Sequence, residues 1–262
     1  MLSLLFSLLI TSAGAEPIAI PAGSFVQGSG RATDAPTRTV QLSAYSIDAT
    51  EVSIAEFEQF VAAGWTDPQW WSASGRAWQQ AQSDGAGASA RAAGRPADHP
   101  VVRVTYWEAE AYCRWRGGAL PTEAQWEHAA CGSGGQRYPW GDSDERDVVW
   151  YSGGKFGHLS SVRTRAVHDA PPDTRSLIGG LHMAGNVWEW TADVYHRDGT
   201  RSEAVVTDPS GPESGPWRVL KGGSFMNLPS YCSCTHREPA RPERQAFTTG
   251  FRCAYSSSET PP

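Results

Sequence analysis

The chain has 262 residues, and 22 Lys and Arg stand against 28 Asp and Glu, a net charge of −6. With no run of basic residues, that balance argues against nucleic acid and anionic membrane as partners. Twelve Trp among 27 Gly and 18 Pro predict a loop-rich fold held by scattered aromatic clusters rather than by long helices.

Met1–Ala15 carries no charged side chain and ends in Ala13-Gly14-Ala15, a small-x-small pattern. It reads as a secretory signal peptide cut before Glu16, which predicts export to the periplasm or the extracellular space. The apolar run is too short to span a bilayer, and no Cys follows it, so no membrane anchor is expected. The five Cys would then meet an oxidising compartment, where pairs are expected and an odd count leaves at least one thiol.

Ile18 to Gly28 reads as a short strand broken by Pro21 and Gly23 and then resumed. Val40 to Ile47 alternates and reads as a second strand. Ser53 is placed to cap a helix over Ile54–Ala63, with Glu56 closing a capping box and Phe57, Phe60 and Val61 at helical spacing. Gly64 ends it. Thr66 to Ala97 shows no apolar period, and its Gly/Ala/Ser-rich part from Ser83 to Arg95 reads as a surface loop inside the domain. Asp98 to Thr105 reads as a short apolar strand. Thr105 caps a helix from Tyr106 to about Arg116, with Glu108 in the capping box and Gly117-Gly118 as the stop. Thr122 opens another helix, which ends by Gly132. Tyr138-Pro-Trp-Gly-Asp142 is an aromatic turn, and Asp142 to Leu181 is irregular. Arg218 to Phe225 reads as a strand ending at a glycine pair, Thr249 to Tyr255 as a final strand, and Ser256–Pro262 as a disordered tail. Short helices and strands separated by glycine stops describe an α+β domain.

Leu181 to Trp190 concentrates the chemistry. Alternation sends Trp188 and Trp190 to one face and Glu189 to the other. A buried Glu189 needs a cation, a metal or several donors. Carbonyls of Gly185 and Val187 beside Glu189 would suit Ca²⁺, whereas pairing with an Arg is the plainer alternative.

Nine phrases recur in one order: Ile20-Pro-Ala-Gly-Ser-Phe, Thr50-Glu-Val-Ser, His99-Pro-Val-Val, Ala111-Tyr-Cys-Arg-Trp, Leu120-Pro-Thr-Glu-Ala-Gln-Trp-Glu, Tyr138-Pro-Trp-Gly-Asp, Gly185-Asn-Val-Trp-Glu-Trp, Lys221-Gly-Gly-Ser-Phe and Gly250-Phe-Arg-Cys. The sequence thereby resembles the sulfatase-modifying-factor family, home of the formylglycine-generating enzyme. The resemblance implies one domain over residues 16–255, with an irregular C-type-lectin-like α+β fold. It implies an O₂-dependent oxidoreductase that turns a cysteine of a protein or peptide substrate into formylglycine, using Cu(I) held by two cysteines. The second of those falls on Cys232 and the first on Asn227. An amide is a poor Cu(I) ligand, so the two-thiolate site is broken here unless Cys234 substitutes, which the alternation of an extended segment from Cys232 works against.

The resemblance also implies the disulfides Cys113–Cys253 and Cys131–Cys234, which leaves Cys232 as the odd thiol, either redox-active or a small packed residue. It implies Ca²⁺ on Gly185, Val187 and Glu189, although the usual side-chain ligand three residues before the glycine is here His182. Ser224 maps beside the reacting cysteine, or simply satisfies its own turn. Trp188 and Asn227 would contact substrate. The seven His show no metal-ligand spacing. Two functions follow as expectations. One is an exported oxidoreductase acting through Cys232, with Ser224 and Trp188 shaping the site, on a cysteine or other group of a protein or small substrate. The other is a non-catalytic module that holds a protein or peptide with the irregular loops from Thr66 to Arg95 and from Asp142 to Gly180.

Overall fold

A computed structural model describes residues 16–30, 37–82, 87, 94–143, 164–170, 174–197 and 205–257. The expected signal peptide, most of the loop over residues 83–95, much of the irregular stretch before Leu181 and the end of the tail lie outside the described residues. Among the described residues, no helix is long and apolar enough to cross a membrane.

Among the described residues, three small sheets frame the chain. In the first, β4 (Tyr45–Ile47) lies between β1 (Ile18–Ile20) and β10 (Ala254–Ser256), antiparallel to both, so the two ends of the domain meet on one strand. In the second, β3 (Arg38–Leu42) pairs with β2 (Gly23–Gln27) and with β6 (Val206–Thr207). The third has the order β8-β7-β5-β9. Its strands are β5 (Trp188–Val194), β7 (Arg218–Lys221), β8 (Glu238–Ala240) and β9 (Thr249–Gly250), with β5 and β9 parallel.

Local chemistry starts the helices where the sequence places them. The helices α1 (Ile54–Ala63), α3 (Tyr106–Trp115) and α4 (Glu123–Cys131) each open on a reciprocal capping box, from Ser53 and Glu56, Thr105 and Glu108, and Thr122 and Gln125. Each box satisfies amides that have no partner within the helix.

Two cores result. The first joins α1 and α3 to the third sheet. Phe57 stacks on Tyr112, with ring centroids 5.7 Å apart and planes at 18°, and Phe251, Trp188 and Trp190 complete it. The second packs Trp126 and Ala130 of α4 against Phe25, Val40 and Ile47 of the first two sheets. β5 runs between them, so Trp188, Glu189 and Trp190 are all buried. The disulfides Cys113–Cys253 and Cys131–Cys234 tie α3 and α4 to the C-terminal third, and Cys232 is the free cysteine.

Several elements differ from the sequence reading. Asp98 to Thr105 is not a strand and contributes one isolated bridge, Ser53 to Pro100. Its valines are buried as a strand's would be, but its amides go to scattered acceptors: Val101 to Val52 and Arg103 to Ala246. Arg103 at φ 59° breaks the extended path. The segments read as single strands over Val40 to Ile47 and Thr249 to Tyr255 are each divided between two sheets. Inside Thr66 to Ala97 stand a 3-10 turn, Pro68–Trp70, and the helix α2 (Ala73–Gln80), which Ser72 caps. The one large apolar residue of α2 is Trp78, too few for a period to show. Trp78 instead joins Trp65, Trp71 and Trp107 in an aromatic cluster.

A candidate binding cleft beside a sealed thiol

Two glycine turns meet at the centre. Gly185 (φ 89°) and Asn186 (φ 57°) enter β5, and Gly222 (φ 90°) and Gly223 (φ 73°) follow β7. Gly185 N–H donates to Gly222 O at 2.8 Å, and Phe225 N–H donates to Asn186 O at 2.9 Å, so the turns hold each other. Asn186 extends the lock, donating to Glu51 Oε1 at 2.9 Å and accepting from Arg165 N–H at 2.9 Å. Gly223 is needed both for its positive φ and for space, since a Cβ there would collide with Cys232 Sγ.

Glu189 is paired with an arginine. The fully buried Arg252 donates to Oε2 and Oε1, each at 2.7 Å, and Trp126 Nε1 donates to Oε2 at 2.8 Å. The guanidinium also reaches the carbonyls of Leu181 and Asp48, at 2.8 and 3.1 Å. The expected calcium ligands Gly185, Val187 and Glu189 therefore do not fit Ca²⁺, because their one carboxylate is already neutralised by a bidentate cation. Burial, and then the neighbouring Glu189, push the pKa of the Glu51 carboxyl well above the ordinary range. His182, which the resemblance aligns with a side-chain ligand, lies within 3.2 Å of Ala166 O through Nε2, and burial lowers its pKa to about 4. Among the described residues no cluster of three or more His, Cys, Asp or Glu is arranged for a metal.

The Gly222-Gly223-Ser224 turn carries the other candidates. Ser224 is buried; its Oγ donates to Asn227 Oδ1, and its N–H reaches the same oxygen at 3.1 Å. Asn227 N–H closes the turn on Ser224 O at 2.9 Å. Asn227 thus occupies its amide oxygen with the turn itself, an arrangement that short polar side chains favour.

Cys232 ends the 3-10 turn Pro229–Cys232 and is fully buried against Ala184 and Trp140. Its Sγ lies 3.8 Å from Leu228 O. Burial pushes the thiol pKa up to about 12, although the amides of Ser224 and Gly185 oppose the shift. At neutral pH this is a protonated thiol. Cu(I) does not fit here either: one of its two expected positions is an amide and the other a sealed thiol.

A cleft of about 320 Å³ opens beside this turn. It gathers Trp188, Ser224 and Asn227, three of the residues the sequence singled out, with Met226, Tyr231, Glu238, Arg244 and Phe247. Cys232 is not among the lining residues. Met226, Tyr231 and Phe247 are exposed at its edge. Of three arginines in the segment after Cys234, Arg244 lines the cleft, Arg237 is buried on Glu123 at 2.6 Å, and Arg241 lies over Trp217. Phe247 escaped the sequence reading because only the fold brings it to a turn some twenty residues earlier.

The fold and this paired-turn site define a sulfatase-modifying-factor type of domain. The sulfatase-modifying factor enzyme 1-like domain matches residues 10–257, and the chain belongs to that family. It is 36% identical to the formylglycine-generating enzyme of Thermomonospora curvata, over 90% of this chain and 92% of that one. It is 35% identical to the hercynine oxygenase of Mycobacterium tuberculosis, over 84% of this chain and 54% of that larger protein. Among solved structures, PvdO from Pseudomonas aeruginosa superposes with a TM-score of 0.70 at 22% identity, covering 92% of this chain and 94% of that one, a likeness of fold.

Proposed function

We propose that this is an exported sulfatase-modifying-factor protein whose cleft binds a protein or peptide segment, without two-thiolate copper chemistry. One observation carries the reading. At the first thiolate position Asn227 is committed to Ser224, and at the second Cys232 is shut away from the cleft. What the cleft offers a ligand is an apolar edge of Met226, Tyr231 and Phe247 around the turn, the kind of surface that anchors a side chain. The two disulfides support export.

A second reading, an oxidoreductase acting through Cys232, draws on the amides of Ser224 and Gly185 beside the sulfur. Such amides would stabilise a thiolate, but that reading also requires the thiol to become accessible.

The rim tests the first reading, because its residues are exposed and can be changed without opening a cavity. Met226→Ser and Phe247→Ala should keep the melting temperature of the parent protein and lose retention of peptides containing an aromatic residue. Unchanged retention in both variants would contradict binding at this cleft.

A further inference from the structure

A second pocket, again about 320 Å³, lies against the first and is lined by Arg95, Pro96, His99, Thr164, Phe225 and Phe247. Phe247 belongs to both, and its ring centroid is 6.2 Å from that of Phe225, so one aromatic wall divides two compartments. The second compartment is cationic. Arg95 has no carboxylate partner among the described residues, and Arg103 lies close enough for the two guanidiniums to repel. Burial, and then that repulsion, lower the pKa of Arg95. Arg103 N–H donates to Ala246 O at 3.0 Å, which fixes its backbone beside the Phe247 segment. Across the wall Arg244 lines the first cleft, also without a carboxylate partner among the described residues. His99 is held by its Nδ1, 2.8 Å from Thr164 Oγ1. Arg95 and Arg244 flank the aromatic wall, each without a carboxylate partner among the described residues, and the Glu238 carboxylate lines the Arg244 side.

We propose that the pocket at Arg95 and His99 is an acidic-side-chain subsite of the peptide cleft, so that the ligand is a segment with an apolar residue at Phe247 flanked by Asp or Glu. This rests on the binding reading above and deepens it. A guanidinium fork takes a carboxylate through two parallel hydrogen bonds. Phe225 and Phe247 line the pocket, and Arg95 at its edge is exposed to an incoming carboxylate. Arg244 supplies the matching contact on the other side of the anchor, and the two arginines together set the preference for acid over amide.

The test uses the full chain and three labelled peptide pools, identical except at the positions flanking one fixed Phe, which are Asp, Asn or Lys. Fluorescence anisotropy should give the Asp pool about tenfold tighter binding than the Asn pool, the size of one good charge-assisted contact, with the Lys pool weakest. Arg95→Gln should collapse the Asp-over-Asn preference, and Arg244→Gln should reduce it. Equal binding of the Asp and Asn pools, or a preference that survives Arg95→Gln, would overturn the acidic subsite and leave the binding cleft standing. No binding of any pool would remove the cleft reading itself and the subsite with it. Inorganic phosphate serves as the small-anion control: binding of phosphate at Arg95 without competition against the Asp pool would also overturn the proposal.

Discussion

Glu189 and Arg252 show how a single residue decides what the central turn can hold. Both are fully buried, and their attraction offsets the cost of removing two charges from water because four of the guanidinium's five N–H donors are used. Leaving one partner alone uncovers that cost. Glu189→Gln should destabilise the fold by about 3–5 kcal/mol in urea unfolding. Because the positive charge at this turn is a side chain, chelation with EDTA should leave the melting temperature of the parent protein unchanged; a large drop would show that a metal holds the turn instead. His182 gives a pH signature. Its pKa is lowered from about 6.5 unfolded to about 4 folded, so between those values the unfolded chain binds more protons. Its contribution to stability is complete above about pH 6.5 and is lost as pH falls towards 4. An NMR titration should find this imidazole still neutral at pH 5.5, and an ordinary midpoint near 6.5 would contradict its burial.

At the level of elements, the starts of α1, α3 and α4 were legible because a capping box is written within four consecutive positions. Thr105→Ala should cost about 1–2 kcal/mol, since it removes the cap of α3 and leaves the buried Glu108 with one contact fewer. Equal unfolding midpoints for parent and variant would show that tertiary packing alone holds the helix. What the sequence concealed were places where apolar patterning and hydrogen bonding part company. Val101, Val102 and Val104 are buried like strand residues on a path that is not a strand. Gly250-Phe251-Arg252-Cys253 crosses from the third sheet to the first, and that crossing delivers Arg252 to Glu189. Of the candidate site, Trp188, Ser224 and Asn227 were legible from the turns that carry them. Phe247, Arg95 and His99 were not, because long-range folding brings them to one wall.

Over the whole molecule, β5 links two cores, packing Trp188 and Trp190 in the first and accepting from Trp126 of the second through Glu189, and two disulfides bind the helices to the C-terminal third. They span 140 and 103 residues, loops long enough for each to be worth about 4–5 kcal/mol on chain-entropy grounds. Replacing Cys113 and Cys253 together by Ala should therefore lower stability by an amount comparable to the total for many domains. Two such bonds are compatible with the proposed export, since a reducing compartment would forfeit both.

The most direct measurement is an anaerobic Cu(I) titration against a competing chelator, with free thiols counted before and after denaturation. The account predicts no copper taken from the chelator, no reactive thiol in the native protein, and one after unfolding, which Cys232→Ser removes. Stoichiometric copper that disappears in Cys232→Ser, with a thiol reactive in the native state, would contradict it and return the protein to oxidative chemistry at Cys232.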